Sequence, residues 1–221
     1  MNSATSISLE EGVSQIGLTL ENSQLELLRA YLAMLQKWNK VYNLTAVRDP
    51  VDMVTHHLLD SLAVIPALLR QRGGAARASF KLLDVGSGGG LPGAVIAICC
   101  PDITVSCVDT VAKKAAFQQQ IALELRLKNL CGIHARVENL VHPQDVVCSR
   151  AFASLTDFTA WTRNSIKPEG VWMALKGKNP GEEIRDLPPG VEVFHVEQII
   201  VPALDAERCI VWMKPSVSQP A

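Results

Sequence analysis

Phe80-Lys81-Leu82-Leu83-Asp84-Val85-Gly86-Ser87-Gly88-Gly89-Gly90-Leu91-Pro92-Gly93 is the stretch whose reading decides the fold. Phe80 to Val85 is an apolar run of strand length, four glycines then fall between Gly86 and Gly90, and an apolar helical segment continues to Cys100. Strand, glycine turn and helix in that order make a ligand-binding corner, because glycines let the backbone approach a ligand and the helix N-terminus offers free N–H groups. A bare turn is the poorer reading, since glycines weaken a strand end unless something comes close to the backbone. The phosphate-cradling P-loop is excluded, because no Gly-Lys-Ser/Thr follows.

Downstream, Ile103 to Val108 reads as a second strand ending at Asp109, and Thr110 is placed to cap a helix reaching about Leu127. Further strands are expected at 131–137, 146–149, 170–175, 191–198 and 208–213, with helices near 155–165 and 179–185. Strands alternating with helices predict an α/β fold: a mostly parallel sheet with helices on both faces. No helix separates the last two strands, so the final strand is expected to run antiparallel. Upstream, residues 1–70 read as a helical extension packed on a core formed by 71–221, the whole behaving as a single domain. Ser23 is the expected cap of a helix carrying Leu25, Leu28, Leu32, Leu35 and Trp38. Val41 to Arg48 looks extended, Asp49-Pro50 opens a helix, Pro66 bends or ends its first half, and Gln71 to Ser79 is a linker.

Two ligands fit the glycine corner at this point. Gly88-x-Gly90-x-x-Gly93 satisfies the dinucleotide fingerprint, and Asp109 lies near the offset of a ribose-binding acid. S-adenosylmethionine also contains an adenosine whose ribose a carboxylate can accept, so Asp109 supports either. Asp84, at the strand end, disfavours a pyrophosphate more than a methionine moiety with its ammonium and sulfonium. The glycine run also starts at Gly86, two residues before the dinucleotide match begins.

The chain has 221 residues, 48% of them hydrophobic and 19% charged, enough for a substantial core. The N-terminus carries no signal-peptide pattern and no run reaches transmembrane length, so a cytoplasmic protein is expected. The six cysteines show no zinc-ligand spacing and read as buried thiols acting as small hydrophobes; no metal is expected. A net charge of −1 argues mildly against nucleic acid, but Lys113, Lys114, Arg126, Lys128 and Arg136 cluster against the single acid Glu124. That stretch permits an RNA partner.

Six blocks in order make a more specific likeness: KWNKVYNLTAVRDP (37–50), HHLLDSL (56–62), GSGGGLPG (86–93), SRAFASL (149–155), ALKG (174–177) and VPALDAER (201–208). Together they resemble the bacterial 16S ribosomal RNA guanine-N7 methyltransferase family, also called ribosomal small subunit methyltransferase G or glucose-inhibited division protein B. The resemblance implies a class I S-adenosylmethionine-dependent, Rossmann-like methyltransferase fold. It implies transfer of a methyl group from S-adenosylmethionine to N7 of guanine 527 (rRNA numbering), in the 530 loop of 16S rRNA within the 30S subunit or its precursor. By matching motifs, Gly86, Leu91, Val137, Glu138 and Arg150 would line the donor site, joined by Gly88, Asp84 and Asp109 from the corner itself. Gly89 departs from a proline common in the family and is expected to loosen the loop; Ala206 departs from a usual glycine.

Guanine N7 already presents a lone pair, so no general base is required and no catalytic residue is expected. Positioning candidates are Asn39 and Asn43, whose amides can meet a base, and Tyr42 and Phe152, which either stack on a base or pack the extension on the sheet. Lys113, Lys114, Arg126 and Lys128 are the expected RNA-binding face. His57 and Asp60 are expected to form a structural hydrogen bond, not a metal site. The chain is expected to act as a monomer. A nicotinamide-dependent oxidoreductase and a noncatalytic binder on the same fold remain the alternatives.

Overall fold

The computed structural model describes residues 7–73 and 79–216. Its centre is a seven-stranded sheet: β1 (Phe80–Val85), β2 (Ile103–Asp109), β3 (Leu130–His134), β4 (Gln144–Arg150), β5 (Ile166–Lys176), β6 (Val191–Ile199) and β7 (Arg208–Pro215). The order is β3-β2-β1-β4-β5-β7-β6. β1 to β5 run parallel, whereas β7 is antiparallel to both β5 and β6. The expected antiparallel last strand is therefore present, and it inserts between its two predecessors. β6 becomes the edge.

Upstream lie α1 (Leu9–Ile16), α2 (Asn22–Tyr42), α3 (Pro50–Met53), a π-helical turn (Val54–Leu59), α4 (Asp60–Leu62) and α5 (Ile65–Arg72). Within the sheet region lie α6 (Gly93–Cys99), α7 (Ala112–Glu124), α8 (Leu155–Trp161) and α9 (Gly181–Arg185). Glu21, not Ser23, precedes α2; it and Gln24 form a reciprocal capping box. Asp49 caps α3 through the Val51 N–H, with Pro50 at its first turn. Of the expected α2 stripe, Leu28, Leu32 and Leu35 are buried and Leu25 and Trp38 partly so; Tyr31 is buried beside them, and the helix runs on through Tyr42 where extended chain is predicted. Thr110 does not cap the helix after β2: its N-cap is Val111, with no side-chain cap, and Asp109 Oδ1 accepts the Val111 N–H at 2.9 Å just ahead of it. Most of the Gln71–Ser79 linker lies outside the described residues, and Gln71 and Arg72 themselves end α5.

Strand alternation divides the core. Leu82, Cys107, Cys148, Met173 and Trp212 face α2, α6 and α7, while Leu83, Val85, Val108, Val147 and Trp172 face Leu155 and Phe158 of α8. The Gln24 amide donates to the Ile98 and Cys99 carbonyls at the end of α6, and Trp38 packs on Phe117 of α7 at 5.3 Å between rings. Cys100, Cys107, Cys148 and Cys209 are buried as expected; Cys131 is exposed. Among the described residues no helix is long and apolar enough to cross a membrane.

Candidate active site

In open parallel sheets, ligands bind beyond the carboxyl ends of the strands where the strand order reverses. Here that point lies between β1 and β4, and two cavities meet there. The first, about 440 Å³, is lined by Val85 and Gly86 after β1, Asp109 after β2, Val137 and Glu138, and by Phe152 and Trp161. The second, about 400 Å³, is lined by His56, His57 and Asp60, Arg150, Lys176 and Arg208. Ala151 lines both.

The glycine corner owes its shape to internal hydrogen bonds. Gly86 has φ +67°, and a Cβ there would overlap the Phe152 ring. Asp109 Oδ2 accepts the Gly88 N–H at 3.0 Å, and Gln118 donates to the Gly88 carbonyl at 3.0 Å. Gly89 is held, contrary to expectation: the Tyr31 hydroxyl donates to its carbonyl at 2.7 Å, and Leu35 leaves little room for a side chain. Asp84 has no exposed surface. Its Oδ2 accepts from the Ser87 hydroxyl at 2.6 Å and from the Gly93 N–H at 2.8 Å. Burial pushes its carboxyl up to about 6, partly offset by those hydrogen bonds and by Arg150.

That arrangement decides between the two ligands left open by the sequence. In the dinucleotide register the start of α6 would meet a pyrophosphate, but its Gly93 N–H already belongs to Asp84. The cavity instead fits S-adenosylmethionine. Its lining sets the carboxylates of Asp109 and Glu138 beside the apolar side chains of Val137, Phe152 and Trp161, the kinds of group that a ribose and an adenine require.

The structure gathers some predicted residues and separates others. Gly86, Val137, Glu138, Asp109 and Phe152 line the first cavity. Gly88 and Asp84 brace the loop, and the Leu91 side chain lies in the core. Arg150 lines the second cavity, donating to Asp60 Oδ2 at 2.8 Å and to the His56 carbonyl at 3.3 Å. Asn39 is buried, accepting the Thr45 N–H at 2.8 Å and donating to the Val47 carbonyl at 3.2 Å, so its amide shapes a loop. Asn43 ends α2 and accepts from Arg48, while Tyr42 leans on Trp38 at 5.1 Å. Phe152 meets Trp161 edge to face at 5.7 Å.

The expected His57–Asp60 hydrogen bond is absent. The π-helical turn carries more residues per turn than an α-helix, so positions three apart no longer share a face. His57 Nε2 lies 2.9 Å from the Thr45 hydroxyl, and burial together with Arg150 lowers its imidazole to about 4. Asp60 instead joins Arg150 to Arg208, whose Nε donates to Oδ1 at 2.8 Å. The four basic residues stand as two pairs at opposite ends of one helix. Lys113 and Lys114 open α7 and Arg126 and Lys128 follow it, and its 13 residues span about 20 Å. Lys114 lines the first cavity, 3.8 Å from Asp109 Oδ2. Sequence reasoning missed Trp161, Lys176 and Arg208 as lining residues; Lys176 and Arg208 sit in the ALKG and VPALDAER blocks, where a signal was available.

The fold and the first cavity define an S-adenosylmethionine-dependent methyltransferase of class I. Solved structures agree on the fold: a SAM-dependent methyltransferase from Aquifex aeolicus is 16% identical, with TM-score 0.55, over 81% of this chain and 97% of that one. A methyltransferase from Thiobacillus denitrificans in complex with S-adenosyl-L-homocysteine is 12% identical, with TM-score 0.54, over 81% and 96% of the two chains. A family model described as rRNA small subunit methyltransferase G matches residues 24–211. Curated proteins named ribosomal RNA small subunit methyltransferase G are 63% identical in Acidovorax sp. (97% of each chain) and 60% in Polaromonas naphthalenivorans (94% of each). The chain belongs to the rRNA small subunit methyltransferase G family.

Proposed function

We propose that this enzyme transfers the methyl group of S-adenosylmethionine to N7 of a guanine in the 530 loop of 16S rRNA. The observation that carries the reading is the pair of cavities meeting at Ala151, one suited to an adenosyl donor and one walled by guanidinium and ammonium groups. When bound, the donor supplies an electrophilic methyl on a sulfonium. The Phe152–Trp161 wall, Asp109 and Glu138 would hold its adenosine, and the Gly86 turn would border it at the strand end. The guanine lone pair needs only to be held in line with the methyl carbon, so orientation supplies most of the rate.

Asp60 keeps Arg150 and Arg208 in place beside the acceptor. Those cations, with Lys176, suit an RNA phosphate or a base carbonyl. Lys113 stands at the end of α7 nearest the cavities and is the better candidate of the basic set for phosphate contact; Lys114 is directed to the donor side. Arg126 and Lys128 reach only an RNA that extends along the whole helix. One chain builds both cavities, which supports action as a monomer, and a ribosomal substrate supports a cytoplasmic site of action.

Labelled methyl transfer to 30S subunits and to naked 16S rRNA, both from cells lacking this modification, tests the reading. A 7-methylguanosine carries a fixed positive charge that weakens its glycosidic bond, so borohydride and aniline should cleave the RNA within the 530 loop. Absence of label, or cleavage elsewhere, refutes the substrate.

A further inference from the structure

Three consecutive residues at the end of β4, Arg150 to Phe152, divide between the two cavities. Arg150 lines only the cationic cavity, Phe152 lines only the donor cavity, and Ala151 lines both. Ala151 also has φ +51°, a left-handed conformation that a residue with a Cβ rarely adopts. Without that turn an extended chain would send Arg150 and Phe152 to the same side, because residues two apart share a face. The left-handed step opens them onto different cavities.

The surrounding contacts hold the strained residue from both ends. Arg150 is held by Asp60 and the His56 carbonyl. Phe152 is seated over Gly86 and against Trp161. Lys176 donates to the Ala153 carbonyl at 3.0 Å while paired with Glu183, and Glu183 in turn accepts the Leu155 N–H at 2.8 Å. Backbone strain fixed this firmly, at the meeting point of two cavities, marks a functional constraint. A residue at such a junction must be small, because the methyl group has to pass from one cavity to the other.

We propose that Ala151 is a positioning residue that sets the aperture between donor and acceptor: its left-handed backbone divides the flanking side chains between the cavities, and its single methyl leaves the transfer path open. The proposal rests on the methyl-transfer reading above and adds a residue to it. It predicts a separation of donor binding from transfer that a purely structural role would not produce.

Glycine and asparagine both accept the left-handed conformation, so A151G and A151N preserve the backbone while changing the bulk at the junction. Binding of S-adenosylhomocysteine by calorimetry and single-turnover methyl transfer to unmodified 30S subunits are measured for each. A151N should bind S-adenosylhomocysteine within about threefold but transfer on the order of a hundredfold more slowly, in the single-turnover rate constant and not in the apparent affinity for the subunit; A151G, which adds no bulk, should transfer at least about tenfold faster than A151N. The aperture is refuted if A151N transfers at the unaltered rate, if it loses binding and transfer in parallel, or if A151G is as slow as A151N. Should A151N not yield folded protein, A151S replaces it, with a smaller loss of rate expected and an unchanged rate overturning the proposal. Failure of the unaltered enzyme to label 30S subunits would instead sink the underlying methyl-transfer reading.

Discussion

The two cavities are built in opposite ways. The donor cavity is built mostly from strand ends and the turns that follow them: Gly86 directly after β1, Asp109 at the end of β2, and Val137 and Glu138 just beyond β3, in chain order. The cationic cavity is mostly side chains drawn from distant segments, with Asp60 bonded to Arg150 at a separation of 90 residues and to Arg208 at a separation of 148. A site made at strand ends can be read locally, because glycine positions and strand ends are local properties. A site made of side chains depends on which helices and strands the core brings together. The difference predicts that damage to the first abolishes ligand binding, whereas damage to the second loosens the fold as well as the chemistry.

The largest effect should come from Gly86→Ala. The left-handed conformation costs an alanine about 1–2 kcal/mol, and the new Cβ would also overlap Phe152. S-adenosylhomocysteine affinity, measured by calorimetry, should fall on the order of a hundredfold while the fold survives; unchanged affinity would remove Gly86 from the donor cradle. Next comes Asp60→Ala, which leaves Arg150 and Arg208 partly buried without their shared carboxylate. Denaturant unfolding should show a loss of about 3 kcal/mol, with donor affinity nearly unchanged. A variant that lost donor affinity but not stability would reverse the contrast between the cavities.

Tyr31→Phe tests how far the helical extension supports the donor loop. It removes the donor to the buried Gly89 carbonyl, and leaving that acceptor unmet costs about 1–3 kcal/mol, read as a fall in thermal stability and a smaller fall in donor affinity. The smallest effects should appear in pH dependence, with one group beside each cavity and opposite signs. Asp84 is raised to about 6 in the fold from 3.8, so the folded state binds the extra proton and its contribution is lost as pH rises through about 6. His57 is lowered to about 4 from 6.5, so its contribution is present above 6.5 and is lost as pH falls toward 4. Unfolding free energies between pH 4 and pH 7 should gain an upward slope with pH in Asp84→Asn and lose one in His57→Gln; no change in either would contradict the burial of these groups.

Much of the donor half is legible in the sequence. Phe80 to Val85 reads as a strand because it is a short apolar run broken by glycines, and the register of the glycine run against Asp84 already disfavoured a pyrophosphate. The reason proved different from simple repulsion: Asp84 is buried and takes the Gly93 N–H for itself. Less of the acceptor half was legible. Asn39 carries the right chemistry to meet a base, but its amide is satisfied by Thr45 and Val47. His57 and Asp60 have the spacing of one helical face, but a π-helical turn changes the face. Lys114 and Arg126 belong to one basic stretch, but α7 carries them to opposite ends.

Local order along the chain was enough for most of the elements and for the corner. Apolar periodicity, glycine placement and strand–helix alternation depend on interactions within a few residues of one another, and they sufficed for a parallel sheet with a ligand at the end of β1. Tertiary structure decided the insertion of β7, the pairing of Asp60 with two arginines, and the place of Ala151 between the cavities. Those outcomes depend on which surfaces the folded core brings into contact, and the chain's local order does not contain that information.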